Sequence, residues 1–468
     1  MGTINSAINL ITAALDADQV ALNVTANNVS NASNESYTRE VPNWQENPPI
    51  YINGIAYGAG VSVTGGISQR DRVLNQRLDQ QQQLSASSTS LLTALTTLQS
   101  NFTSASGSTS TGNIGTDITS FFDSYTQLET DPTSNPLRQQ ILSSATTLAN
   151  DISSTAASLN AQQASLNQSA TTIVAQVNAI TKSLAQVNQE IQSNSPNQDA
   201  GVLEDQRQSD LSQLSQLIGV NQITTEQNGL SVTTTGGQLL TSEGNSYAIT
   251  SGSVNGVAHF YLSNTDITTA LASGGGQLGG LLTARDQSIP TTLASLDQLA
   301  YGISTQVNTI NNAGTDLVGD NGTAGNIFNA PAQVTGSAAA MQVVLTDPNK
   351  IAAAGLGQGT GDDSNAVAAT NLATQGIING ETPSNFYSNM VSTLGATVSE
   401  VTTQNTALTA SVTQLQSQVN SLSGVSLDDE ASSLEEFQRS YQAASQVFTI
   451  LNSIMASALN LGVETAVA

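Results

Sequence analysis

The sequence predicts a mainly α protein with a β-rich insert (α+β). Long helices run in from both termini to form a bundle or coiled coil, and a small β-rich domain sits at the tip. Three observations lead there. At both ends, apolar residues recur at alternating three- and four-residue steps. After Gly219 the period changes to short alternating runs between glycine turns. The helical rhythm then resumes near Ile289. The outer helices close a bundle only if the chain doubles back, which brings both termini to one end.

The first helix is expected from about Ile4 to Asn28, with Ile4, Ile8, Ile11, Leu15, Leu22 and Val29 on its seam and Asp18 and Thr25 as polar interruptions. Asn27, Asn28, Asn31, Ser33 and Asn34 make a turn-rich stretch after it. Pro42, Pro48 and Pro49 break helix, so 40–68 reads as extended or irregular, with a glycine turn at Gly58–Gly60 leading into an alternating strand. Helix resumes near Asp71, with Leu84, Leu91, Leu95, Leu98 and Phe102 as its buried stripe, and 103–115 is a Ser/Thr/Gly-rich loop. Beyond Pro136 comes the longest periodic run, from Ile141 to Ile191, with one four-four step at Ile173 that resembles a stutter. Some fifty residues at ~1.5 Å each make a rod of roughly 75–80 Å. Asn194-Ser195-Pro196-Asn197 ends it, and a shorter helix runs to Ile218.

Strands are expected at 220–223, 230–232, 247–249 and 259–262, followed by a helix along Ile289, Leu296, Ile303 and Ile310. A strand at 342–345 and a short helix from Ser364 to Ala373 lie in a glycine-rich stretch. A further seam runs from Leu394 to Leu422 with Asn405 at a core position, either a register-fixing polar residue or an edge residue. The last seam carries Leu434, Phe437, Tyr441, Ala444, Phe448, Leu451 and Met455. Helices of this length are marginal alone in water, so both ends need partners. The expected domains are 1–70 with 426–468 for assembly; 71–219 with 281–330 and 381–425 for the long-helix bundle; 220–280 for the β-rich outer part; and 331–380 as a small mixed segment.

Composition narrows function. The 468 residues suffice for roughly two to four domains. Only 10% of them are charged, against about 25% in ordinary domains. The net charge of −25 argues against nucleic-acid binding and against docking on anionic lipid. There are no cysteines, which excludes disulfides and thiolate metal sites and suits a chain that leaves the cell unfolded. The amphipathic N-terminus lacks the basic and apolar regions of a cleaved signal. No apolar run approaches the roughly 18 residues of a membrane span.

Chemistry-bearing constellations are sparse. His259 is the only histidine and sits beside Phe260 and Tyr261 in a strand. No Ser-His-Asp or Cys-His nucleophile can be assembled. The glycine run 355–361 lacks dinucleotide spacing and leads into Asp362-Asp363, which would repel phosphate. Asp316-x-x-Gly319-Asp320-x-Gly322 falls short of an EF-hand ligand count. Asp428, Asp429, Glu430, Glu435 and Glu436 suit a helix N-terminus. Trp44, between two prolines, is either an interface anchor or packed on its own domain. No enzyme activity, metal or cofactor is expected.

Ala17-x-x-x-Ala21-Leu22, Asn27-Asn28-Val29-x-Asn31 and Tyr37-Thr38-Arg39 resemble the N-terminal signature of flagellar axial proteins. Val425-Ser426-Leu427-Asp428-Asp429-Glu430 and Phe437-Gln438-x-x-Tyr441-Gln442-Ala443-Ala444 resemble the matching C-terminal one. Leu203-x-Asp205-Gln206-Arg207, Leu214-Ser215-Gln216-Leu217, Gly275-Gly276-x-Leu278-Gly279-Gly280-Leu281-Leu282-x-x-Arg285-Asp286, Leu299-Ala300, Val307-Asn308 and Gly314-x-Asp316 are similar to the hook-associated protein 1 family of hook–filament junction proteins. Two positions depart from the family: Ser36 where Gly is usual, and Glu40 where Gln is common.

The resemblance implies a structural subunit exported unfolded through the flagellar type III apparatus, assembling as a ring or tube at the distal end of the hook. Implied partners are further copies of itself, the hook protein, hook-associated protein 3 and an export chaperone on the C-terminal helix, roughly 427–462. Neither nucleic acid nor membrane insertion is implied. The terminal helices stay loose during export and pair when the subunit is built in. The alternatives are another axial subunit (hook or filament protein) or a secreted helical adhesin.

Overall fold

A computed structural model describes residues 2–34, 36–52, 54–102, 113–195 and 199–464. The chain starts with α1 (Gly2–Ser30). A long antiparallel ribbon follows: β1 (Glu40–Glu46) pairs with β4 (Val61–Ser68), and nested between them β2 (Ile50–Ile52) pairs with β3 (Ile55–Tyr57). Next come α2 (Arg72–Ser100), α3 (Ile114–Thr130), α4 (Asn135–Asn194) and α5 (Val202–Leu217). Asp71 caps α2, its carboxylate accepting the N–H groups of Val73 and Leu74 at 3.0 Å each.

The β-rich part holds β5 (Val220–Thr224), β6 (Leu230–Thr234), β7 (Leu239–Ser242), β8 (Asn245–Ser246), β9 (Thr250–Val254), β10 (Val257–Leu262) and β11 (Thr265–Asp266). They form two antiparallel sheets, of order β5-β6-β7-β8 and β11-β10-β9. Helix returns as α6 (Thr268–Gly274), α7 (Gly276–Thr283), a π-turn at Ala284–Ser288 and α8 (Ile289–Ala313). After α9 (Ser337–Ala340) and α10 (Ser364–Asn371), the long helices α11 (Pro383–Ser423) and α12 (Leu427–Glu464) bring the chain home.

The rod α4 is one unbroken helix of 60 residues, ~90 Å long. It serves two cores in succession. Its first half, from Ile141 to Leu159, packs with α3, α8, α10 and the start of α11, around an edge-to-face group of Phe121, Phe122, Tyr125 and Phe328. Its second half, Ala170 to Leu184, packs with α5, α7 and the two sheets. Leu166 touches both cores, so the four-four step at Ile173 falls just beyond the point where the buried face changes partners.

The motif Gly279-Gly280 explains how α7 lies against α2. A Cβ on Gly280 would sit 2.0 Å from the Ser87 carbonyl oxygen, so only glycine permits this approach.

Several expectations need correction. Leu84 is 52% exposed, because polar Asp79 and Gln83 turn inward in the first half of α2. Residues 247–249 are not a strand: the Asn178 side chain takes both backbone groups of Ile249, leaving none for a ladder. Residues 342–345 hold only a bridge between Val343 and Phe328. The short helix ends at Asn371. The sequence pattern gave no expectation of α3, α6, α7, α9, β7, β9 or the two short strands β8 and β11. Most of the expected 103–115 loop, and Pro196-Asn197, lie outside the described residues.

Candidate assembly site

The two ends of the chain meet. Asn28 near the C-terminus of α1 bonds Glu430 in the first turn of α12, so the helices lie antiparallel. On α12, the expected seam residues Leu434, Phe437, Phe448, Leu451 and Met455 are half-buried, and Tyr441 is 37% exposed. On α1, Ile4, Ile8, Ile11, Leu15 and Leu22 are half-buried, but Val29 is 42% exposed. The fully buried line runs instead through Ala17, Asp18, Ala21, Val24, Thr25 and Asn28. The displacement has a cause: α1 packs on α12 and also on the β1–β4 ribbon, so its buried line falls between the two contacts. Trp44 of the ribbon meets Phe437 of α12 with ring centroids 6.0 Å apart, and stays 44% exposed.

Beneath the helix pair lies a polar latch built from the signature residues. Asn28 uses all four valences of its amide. Its Nδ2 donates to the Glu40 carbonyl at 2.8 Å and to Glu430 Oε2 at 3.0 Å. Its Oδ1 accepts the Tyr37 hydroxyl at 2.7 Å and the Glu40 N–H at 3.0 Å. Arg39 Nε donates to Glu430 Oε1 at 2.6 Å, and the Arg39 N–H donates to the Ser423 carbonyl at 2.9 Å. Asn27 Nδ2 donates to Tyr37 Oη at 3.3 Å, and Asn31 Nδ2 donates to the Asn27 carbonyl at 3.0 Å. One cluster therefore ties the end of α1, the following loop, the α11–α12 elbow and the start of α12.

A second layer fastens the latch to the bundle. The Thr38 N–H donates to Asp205 at 3.3 Å, Arg70 pairs with Glu204 at 2.7 Å and also with Asp205, and Arg72 pairs with Glu204 at 2.8 Å. Burial, then the charges of Asp199 and Asp205, push the Glu40 carboxyl up; Arg70 opposes them. Burial also raises the Asp205 carboxyl, against the hydrogen bonds of Thr38 and the charge of Arg70. The Tyr37 hydroxyl is pushed well up by burial and by Glu40, Asp205 and Glu430, so it stays a donor. The Ser36 N–H is taken by Asn34 Oδ1 at 3.2 Å.

The cluster Asn27, Asn28, Asn31, Tyr37 and Arg39 was legible from sequence; Glu430, Ser423, Glu204 and Arg70 as its partners were not. Glu430 stands in the C-terminal signature and suits a helix start, but neither reading shows that it is 1% exposed and paired with the N-terminal signature. The motif residues of the middle are buried ties as well. Arg207 donates to the Asn228 carbonyl at 2.7 Å. Arg285, fully buried, reaches Asn167 and the Ala258 carbonyl at 3.0 Å each, joining the rod to β10. Asn308 accepts the N–H groups of Ile327 and Phe328.

His259 pairs with Asp266 at 2.7 Å, and hydrogen bonds from Thr268, more than the histidine, hold that carboxyl at about 2. Asp316 Oδ1 accepts the N–H groups of Val318 and Asp320, which commits that oxygen to a turn. Among the described residues no group of three or more His, Cys, Asp or Glu is arranged to hold a metal, and no helix is long and apolar enough to cross a membrane.

Residues 100–328 match the family described as the flagellar hook-associated protein FlgK helical domain, and residues 416–461 match the C-terminal family of flagellar basal body rod FlgEFG proteins. The flagellar hook-associated protein 1 of Escherichia coli (strain K12) is 25% identical, over 98% of this chain and 100% of that protein. That of Bacillus subtilis (strain 168) is 24% identical, over 96% of each. The flagellar hook junction protein FlgK from Burkholderia pseudomallei shares the fold, with a TM-score of 0.64 and 18% identity over 73% of this chain and 99% of that one. The central and C-terminal family matches, together with relatives similar over almost the whole chain, support the flagellar hook-associated protein 1 family for this chain, and the structural likeness supports a common fold.

Proposed function

We propose that this chain is a structural subunit of the bacterial flagellum that forms the junction zone between hook and filament by self-assembly through its terminal helices. One observation carries this beyond family membership. Both ends converge into a single helix pair, and that pair leaves Leu10, Val447, Ile450 and Ile454 exposed. Apolar side chains in such a row on an otherwise polar chain call for neighbours. Within the flagellum the chain assembles with other axial components. The proposed neighbours are the hook protein below and hook-associated protein 3 above. An export chaperone would cover α12 before export, when its seam is unpaired. The site of action is extracellular, at the hook tip.

Immunogold labelling of intact flagella tests this. A band at the hook tip is the expected result. Label along the filament or along the hook would replace the junction with another axial position, and absence of label from flagella would reject the assignment.

A further inference from the structure

The β2–β3 end of the ribbon gathers four exposed apolar side chains. Ile50, Tyr51, Ile55 and Tyr57 are 43%, 71%, 59% and 49% exposed. A two-stranded hairpin is marginal alone in water, and this one has two open edges.

Its two faces differ. The register pairs Ile50 with Tyr57 and Tyr51 with Ala56. Side chains alternate along a strand, so Ile50 and Tyr57 share one face and Tyr51 stands on the other. The first face, with Ala7, Leu10 and Ala13 of α1, lines a groove of about 580 Å³. Beside the groove, Gly60, at φ +80, lets the ribbon lie close to α1, since a Cβ there would meet Leu10 at 2.6 Å. The Asn47 N–H ties the two sides of the ribbon there by donating to the Gly60 carbonyl at 2.9 Å. One molecule therefore carries an aromatic knob on one side of the hairpin and an apolar groove on the other.

Charge selects the occupant. Copies of a chain with net charge −25 repel one another. Residues 1–15 carry no charged side chain, and residues 41–69 carry only Glu46. None of the groove's lining residues is charged. This strip is where two copies can approach without opposing like charges. A partner attracted by the acidic surface would seek the rest of the molecule instead.

We infer that Tyr51 of one copy docks into the α1–hairpin groove of the next, a head-to-tail contact between copies of this chain. The inference rests on the self-assembling reading and names one of its contacts. A knob and a groove at different places on one subunit make a heterologous interface, which closes into a ring when the rotation allows.

The absence of cysteine makes the test clean. Tyr51→Cys and Asn9→Cys, both at exposed positions, are introduced singly and together into the full chain. Isolated flagella are then treated with a short bismaleimide. Circular dichroism of each purified variant checks that the fold matches the parent. A ladder of dimers and higher species from the double variant, with monomer from either single variant, is the expected result. Dimer from Tyr51→Cys alone would mean a symmetric contact and overturn the proposal. So would monomer from a double variant that is present in the hook-containing fraction. Absence of the protein from that fraction would instead count against the junction assignment. The pair is then read on concentrated purified chain, where a ladder supports the contact and monomer overturns it.

Discussion

Asn28 and Glu430 are 402 positions apart and share a 3.0 Å hydrogen bond in a buried setting. Glu430→Ala leaves one Asn28 donor and the Arg39 guanidinium without their partner. Unsatisfied buried donors cost more than the bond is worth in water. Arg39 is 30% exposed and regains water, so the expected loss is about 1–3 kcal/mol. It should concentrate at the start of α12, read as faster amide exchange over 427–440 with the rod unchanged. Glu40 is the informative neighbour. Its carboxyl is raised by burial and by Asp199 and Asp205, so the folded chain holds that proton more tightly than the unfolded one. Stability from this group is present at low pH and falls as pH rises through its unfolded and then its raised folded value. Glu40→Gln removes the penalty. The variant should match the parent near pH 4 and melt higher than the parent at pH 8 in thermal scans.

Helix contacts carry the next set of expectations. Gly280→Ala forces a methyl group toward the Ser87 carbonyl and must part α7 from α2, with a cost of about 1–3 kcal/mol from overpacking. Thermal melting reads this directly, and an unchanged midpoint would refute the close-approach account. Two buried acids set the pH response of the bundle. Burial raises Asp79 to about 6, against hydrogen bonds from Gln222 and Gln208. Burial, with the adjacent Asp151, raises Asp117 to about 7. Both lie above the unfolded value of about 4, so their stabilisation is complete below that value and is lost as pH rises through about 6 and about 7. Asp117→Asn should flatten the fall in melting temperature between pH 5 and pH 8.

The same elements show what sequence can carry. Periodicity displayed α4 and α8, because each buries one stripe along its length, and α11, whose stripe is buried up to Val401 and half-buried beyond it, with Leu422 at its end 57% exposed. Ile114, Ile118, Phe121, Tyr125 and Leu128 carry the same rhythm in α3, over a single short helix. Residues 247–249 alternate like a strand yet lack a ladder, since one asparagine on a distant helix satisfies Ile249. Pattern reports side-chain burial and is silent on where backbone groups are satisfied. The latch follows the same division. Both halves lie in recognisable motifs, but the pairing of Glu430 with Arg39 across 391 residues is made only by the folded chain.

At the scale of the whole molecule, the ends and the body are held by different forces. The two packed cores draw on α2 to α11 and the sheets, and neither includes a residue of α1 or α12. The helix pair relies on a short buried line on α1 at Ala17, Ala21 and Val24, on half-buried seam residues and on the polar latch. Deleting 427–468 therefore removes Glu430 and the whole partner face of α1 while leaving both cores intact. The truncated chain should keep the parent's melting transition for the bundle and the β-rich part. It should lose incorporation into flagella, so that cells carrying it grow hooks without normal filaments. In the isolated full-length chain, limited proteolysis should cut within α1 and α12 before it cuts the rod, because local opening needs only the latch to release. Full protection of both ends in a monomer, or normal filaments on the truncated chain, would each contradict this division, in which the body folds alone and the ends are completed by neighbours.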